Sequence, residues 1–375
     1  MTAIVSEKPQ KSRDIRFDIL KAIGLLLIIL AHTGSPQNID LIRQFDVPLM
    51  VIASGTLFYY SSRNKNVNLW EYLRNRIPRL LAPVWLFLSF FFVSVYIVDL
   101  LTKKPYHFSS REILFGFLLL DGIGYVWIIR VFLLIAIVAP FLLKLYRLLG
   151  NETRFAAVIV AIYIFHQSVA IPVIYSWEIP YDWTMWRSKF YMFLIPYGCL
   201  FGLGMTLIKM NRKLFLIFLS GSAIGFLFYS SLDYYKVGSN LLNFWHNHRN
   251  EYKYPPSPIF ILYGIFMSMI LYLLVSWVWD NYREWMEKNR SMTETIVFIS
   301  SSSLWIYLWH IFFLTYWGRI QYKYPIMQNS LVVFISISFL AMVTTYFQKV
   351  LVSKIVKTTQ FGQNNSEILA ILFLK

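Results

Sequence analysis

Acidic residues are scarce in this chain: 19 Asp and Glu stand against 35 Lys and Arg, a formal charge of +16. Charged residues of both signs fill only 14% of the 375 positions, where soluble domains carry about a quarter. There is one cysteine, Cys199, which excludes an intrachain disulfide and any metal cluster built on several thiolates. It falls in an apolar run and reads as a small buried hydrophobe. No Gly/Ser-rich or Pro-rich linker divides the sequence, and no internal repeat is found. One domain is therefore expected, a transmembrane domain over 1–356, with a short cytoplasmic tail over 357–375.

What is abundant is apolar. Hydrophobic residues reach 57% and aromatics 19%, and the mean hydropathy is +0.53. A soluble fold of this size could not cover that much apolar surface, so lipid must be the solvent for much of it. At about 20 apolar residues per crossing, the sequence predicts ten spans: 18–34, 45–62, 80–101, 124–146, 154–174, 190–208, 213–231, 258–279, 295–317 and 329–352. The fold class is all-α, a polytopic helical membrane bundle. The stretch 113–120 is too short to cross and reads as re-entrant or interfacial, as does Ile368 to Leu374 in the tail. With both termini in the cytoplasm, 21 of the 35 Lys and Arg fall in inside segments and 11 outside. That bias is what membrane insertion imposes, so most of the positive charge is topology and no nucleic-acid partner is needed. The first apolar run ends in His32-Thr33-Gly34-Ser35-Pro36 without a small-x-small cleavage site, and reads as a retained span.

Ionisable groups inside spans are costly and mark function by default. Lys21 and His32 lie eleven helical steps apart in the first span, about three turns, so they share one face at roughly 16 Å. The alternatives are a snorkelling lysine and a hydrogen-bonded packing histidine. Arg76 and Arg79, three apart at the start of the third span, would share a helical face. Guanidinium forks suit phosphate groups, although the positive-inside bias also places arginines there. Arg130 lies within the fourth span and must meet a carboxylate, with Asp121 available, or face a polar cavity. The ninth span carries Ser300 to Ser303, Tyr307 and His310; serines there also serve close helix packing. The connections 175–189 and 232–257 are rich in aromatics, readable as sugar-stacking faces or as an interfacial belt. His246 and His248 lack a near carboxylate, and no metal site is expected.

Taken together these residues resemble the acyltransferase-3 family of integral membrane O-acyltransferases. The resemblance rests on Arg16-Phe-Asp18-Ile-Leu-Lys21 through His32, Phe45-Asp-Val-Pro48 through Ser54-Gly55, and Arg76-x-x-Arg79-Leu-Leu-Ala-Pro83-x-Trp85. Trp127-Ile-Ile-Arg130-Val-Phe and Ser303-Leu-Trp-Ile-Tyr307-Leu-Trp-His310 complete it. The family's basic-x10-His pattern falls on Lys21 and His32, and its arginine pair on Arg76 and Arg79. Lysine at the first position keeps the charge but loses the fork.

The resemblance implies acyl transfer from acetyl-CoA, a cytosolic co-substrate, to hydroxyls of a cell-surface or exported polysaccharide or a lipid-linked saccharide, in a bacterial plasma membrane. On that footing His32, with Lys21 near the cytoplasmic entrance, is the expected catalytic centre, as general base or as acyl carrier. Arg76, Arg79 and Arg130 are expected around the anionic donor, with Arg130 or groups of the ninth span at the oxyanion. Trp127, Tyr307 and His310 are expected at the substrate. Competing classes are a flippase for lipid-linked sugars, which would favour inverted repeats, and a membrane glycosyltransferase, which would want a tight acidic pair where only Asp40 and Asp46 occur.

Overall fold

The structure, a computed structural model, describes residues 14–120, 122–176, 187–237 and 252–373. Among the described residues every regular element is a helix. The chain opens with α1 (Ile15–His32), a short α2 (Gln37–Ile42), α3 (Asp46–Ser62), the long α4 (Leu69–Leu101) and α5 (Ser110–Phe117). It continues through α6 (Trp127–Leu149), α7 (Glu152–Phe165), α8 (Ile171–Ser176), α9 (Met192–Thr206) and α10 (Arg212–Val237). The last part holds α11 (Pro258–Lys288), α12 (Arg290–Ser301), α13 (Ser303–Ile320), α14 (Ser330–Thr358), α15 (Gln360–Asn364) and α16 (Ser366–Phe373).

Among the described residues, seven helical stretches are long and apolar enough to cross a bilayer, and α12 with α13 forms an eighth bent by 76°. Ten spans were expected, and the two others differ for physical reasons. The 18 residues of α1 include Arg16, Asp18 and Lys21. The 15 residues of α9 are reached through a π-helical turn over Arg187–Tyr191. Neither is a plain apolar rod. α1 is instead wrapped by protein: it packs against α3, α11, α12, α13 and α14, and Asp18 is fully buried. Its start is fixed by Asp14, whose side chain accepts from the Arg16 backbone N–H.

Two glycines bring α3 and α9 together. A Cβ at Gly55 would collide with the Phe201 carbonyl oxygen, and one at Gly204 with that of Ile52. The small residues let the backbones touch, and Thr56 Oγ1 donates to the Gly204 carbonyl at 2.7 Å. α4 starts at Asn68, whose side chain accepts from the Trp70 and Glu71 N–H groups. Its length places Arg79 and Asp99 about 30 Å apart along one helix, close to the hydrocarbon thickness of a bilayer.

The 113–120 stretch forms α5 and a following turn; eight residues reach only about 12 Å. The tail folds back onto the bundle: α16 packs on α4 and α14, and Trp305 Nε1 donates to the Leu372 carbonyl at 3.1 Å. Most of the aromatic connections, with Trp177, Tyr181, Trp183, Trp186, Phe244 and Trp245, lie outside the described residues, as do His246 and His248.

Candidate active site

His32 ends α1 and meets α13. Its Nδ1 lies 3.0 Å from Nε2 of His310, with the two rings stacked at 5.2 Å. His310 is fully buried, and its Nδ1 bonds the carbonyl of Tyr307 one turn earlier. A carbonyl only accepts, so His310 carries its proton on Nδ1. With both rings neutral, His310 Nε2 accepts from His32 Nδ1–H, which leaves Nε2 of His32 as a lone pair. This tautomer assignment follows from the hydrogen-bond network. The row carbonyl, His310, His32 has the logic of a catalytic base held by an orienting group.

The bend between α12 and α13 builds this arrangement. It aims α13 so that Tyr307 and His310 face α1, and it leaves the Ser300 carbonyl accepting from Lys21 Nζ at 2.8 Å. Lys21 lines a cavity of about 230 Å³ together with Arg76, Arg79, Ser54, Ser301 and Tyr307. Arg76 also walls two adjoining hollows, one with Lys21 and one with Arg79. Arg76 and Arg79 are exposed at its mouth. No Asp or Glu lines this cavity. Four of the expected site residues, Lys21, Arg76, Arg79 and Tyr307, thus meet around one space.

Arg130 lies apart from them. It is buried, and its Nη1 donates to the carbonyls of Leu119 and Leu120 at 2.9 and 3.0 Å. Its guanidinium also lies over Phe190 and Phe193. It clamps a tight turn in which Leu119 has φ 56°, and Gly122 is pressed so closely on the Gly116 backbone that a Cβ would collide. Asp121, the carboxylate the sequence offers to Arg130, lies outside the described residues. The turn carries Tyr125, whose ring meets His32 edge-on at 4.8 Å and whose carbonyl accepts from the Tyr307 hydroxyl at 2.6 Å. Trp127 packs edge-on against Tyr254 at 5.0 Å, beneath Lys253.

Two groupings were not read from the sequence. Arg43 binds both Asp40 and Asp46, all three buried, and Lys253 Nζ lies 3.7 Å from Asp46. The two aspartates discounted as an unpaired acidic set are therefore joined through one guanidinium. Asp40, Arg43 and Asp46 stand three apart on a helical stretch, a spacing that could have revealed them. Far from them, Asp99 pairs with Arg319 at 2.7 Å across 220 positions of sequence, and nothing in the local pattern signals that.

No curated protein and no solved structure matches the chain. The Acyltransferase domain family, Acyltransferase 3, matches residues 14–347, a stretch that takes in α1, the arginine pair, the Tyr125 turn and the His32–His310 contact. With most of its length covered, and an all-α fold whose apolar helices can span a bilayer, the chain belongs to the Acyltransferase 3 family of membrane acyltransferases.

Proposed function

We propose that this membrane acyltransferase moves an acetyl group from cytosolic acetyl-CoA to a hydroxyl of a cell-surface or exported polysaccharide, or of its lipid-linked precursor, in a bacterial plasma membrane. The observation that carries this reading is the cavity walled by Lys21, Arg76 and Arg79, which ends on Tyr307, the residue whose carbonyl holds His310 against His32. In this reading the cavity mouth and both termini face the cytoplasm. α1 and α9 cross beside the eight apolar spans to make ten, a topology supported by the Lys and Arg bias.

Arg76 and Arg79 pair with the phosphates of the donor through bidentate, charge-assisted hydrogen bonds. Lys21 adds a point charge on the wall. The pantetheine arm then covers the eleven helical steps to His32, about 16 Å. There Nε2 of His32 takes the proton of the acceptor hydroxyl as its oxygen attacks the thioester carbonyl. The tetrahedral intermediate collapses with cleavage of the C–S bond. The departing thiolate takes the proton back from the imidazolium, giving the O-acetyl ester and free CoA. Through this cycle His310 accepts from Nδ1 of His32 and stabilises the transient charge. Arg130 acts on the turn that holds Tyr125, and no step is assigned to Trp127.

Membranes supplied with labelled acetyl-CoA should place label in alkali-labile ester on saccharide. In His32→Ala that label should fall to background. Arg76→Ala should raise the KM for acetyl-CoA roughly tenfold or more, the worth of a lost charged hydrogen bond. Wild-type rates in both variants, each inserted and stable, would refute the reading. A flippase would leave the thioester uncleaved.

A further inference from the structure

Resting on that reading, we infer that the acceptor binds in a second cavity, walled by Asp99, Arg319, His107, Phe91, Phe108 and Tyr125, and that this cavity is built for a saccharide. It measures about 600 Å³, within the usual size range of small-molecule sites. It gathers the end of α4, the loop before α5, the Tyr125 turn and the end of α13. Asp99 follows Arg79 by 20 positions on α4, about 30 Å, so this cavity opens at the opposite face of the bundle from the arginine mouth.

Its chemistry separates it from the donor cavity. One Asp99 oxygen accepts from Arg319 at 2.7 Å and the other from the His107 backbone N–H at 3.1 Å. The carboxylate is thereby fixed in place, 5% exposed, and Arg319 remains 24% exposed. One nitrogen of the fork holds Asp99, and the guanidinium lines the cavity beside it. Phe91 and Phe108 pack at 5.7 Å beside it. A sugar ring presents an apolar C–H face for aromatic rings and an edge of hydroxyls for planar charged groups. An acyl chain would have no use for the ion pair or for Lys104, which also lines the cavity.

The cavity also reaches the chemistry. Tyr125 lines it and touches the ring of His32, while Tyr307 lines the donor cavity and donates to the Tyr125 carbonyl. The two cavities therefore approach from opposite ends and are separated by the layer that contains His32. A hydroxyl entering past Tyr125 would meet a thioester entering past Tyr307.

Gly318 lines this second cavity, and a Cβ there would meet no heavy atom within 4 Å. Gly318→Phe should therefore fill the space and leave the fold intact, since any residue other than proline suits a helix interior better than glycine. The assay uses cells lacking the gene, complemented with each variant, and measures alkali-labile acetate on surface polysaccharide. Acetyl-CoA retention by the purified protein in nanodiscs is measured in parallel. Gly318→Phe should lower the acetate roughly tenfold or more and leave acetyl-CoA binding at the wild-type level. The exchanged pair Asp99→Arg with Arg319→Asp, which keeps the ion pair and inverts its presentation, should show the same split. Wild-type acetate from either variant would overturn the acceptor site. If the wild-type gene itself restores no alkali-labile acetate, the proposed function falls instead, whatever the Gly318 variant does.

Discussion

Removing His310 tests whether the second histidine positions the first. In the resting arrangement His32 Nδ1–H donates to His310 Nε2 over 3.0 Å, a bond between neutral groups. When His32 takes a proton, the same bond gains a charged donor. A hydrogen bond to a charged group contributes about 1.5–3 kcal/mol, where a neutral one contributes about 1. His310→Ala loses the neutral bond in the ground state and the charged one in the transition state, so kcat should fall by the difference, about 0.5–2 kcal/mol, which is roughly 2- to 30-fold at about 1.36 kcal/mol per factor of ten. The KM for acetyl-CoA should not move, because His310 does not line the arginine cavity. His310→Gln should recover most of the rate, since its amide oxygen can accept from His32 Nδ1.

The assay is the initial rate of transfer from acetyl-CoA in membranes, corrected for the amount of inserted protein. A His310→Ala protein with wild-type kcat, or a Gln variant as impaired as the Ala variant, would refute the positioning role.

Two further perturbations separate structure from chemistry. Arg130→Met removes the hydrogen bonds to the Leu119 and Leu120 carbonyls, at about 1.5–3 kcal/mol for bonds made by a charged group. It should lower the thermal unfolding midpoint and reduce transfer, while acetyl-CoA affinity stays at the wild-type value; a selective loss of acetyl-CoA affinity would restore Arg130 to the donor site. Arg43→Ala leaves Asp40 and Asp46 buried without their shared guanidinium, a loss of about 3–5 kcal/mol. Replacing all three with neutral residues, Arg43→Met with Asp40→Asn and Asp46→Asn, should recover most of that stability, and equal instability of the two proteins would contradict the ion-pair account.

The sequence carries the parts of the site that are local. Lys21 and His32 share a face because eleven steps close about three turns, and Arg76 and Arg79 neighbour each other by spacing alone; α1 and α4 keep those relations. Long-range relations leave no such mark. His310 meets His32 across 278 positions, and Arg319 meets Asp99 across 220. Arg130 was expected to meet a carboxylate or face a polar cavity, because an arginine in a lipid span must have a partner. Among the described residues its Nη1 donates to backbone carbonyls of the Leu119 turn, contacts that no side-chain pattern encodes. Two of the ten expected spans fall outside the eight that length and composition mark: α1 carries Arg16, Asp18 and Lys21, and α9 runs 15 residues from a π turn.

The shortage of acid has a spatial expression. The described aspartates that lie in ion pairs deep in the fold, Asp40, Asp46 and Asp99, are each held by arginine, and none of them lines the cavity of Lys21, Arg76 and Arg79. A carboxylate on that wall would neutralise the attraction for an anion. Its absence leaves a cationic mouth followed inward by serines, aliphatic side chains and Tyr307. Carrying phosphates further along this path would take their charge into low dielectric away from the arginines, a cost that rises steeply towards the bilayer centre. A slender uncharged arm meets no such penalty. Under the proposed reaction the gradient in the wall would sort the donor into two parts, phosphates that stay at the arginines and an acyl thioester that alone comes within reach of His32. Under the proposed reaction only the acyl group then crosses from one cavity to the other, and the imidazole pair needs to handle a single proton to move it.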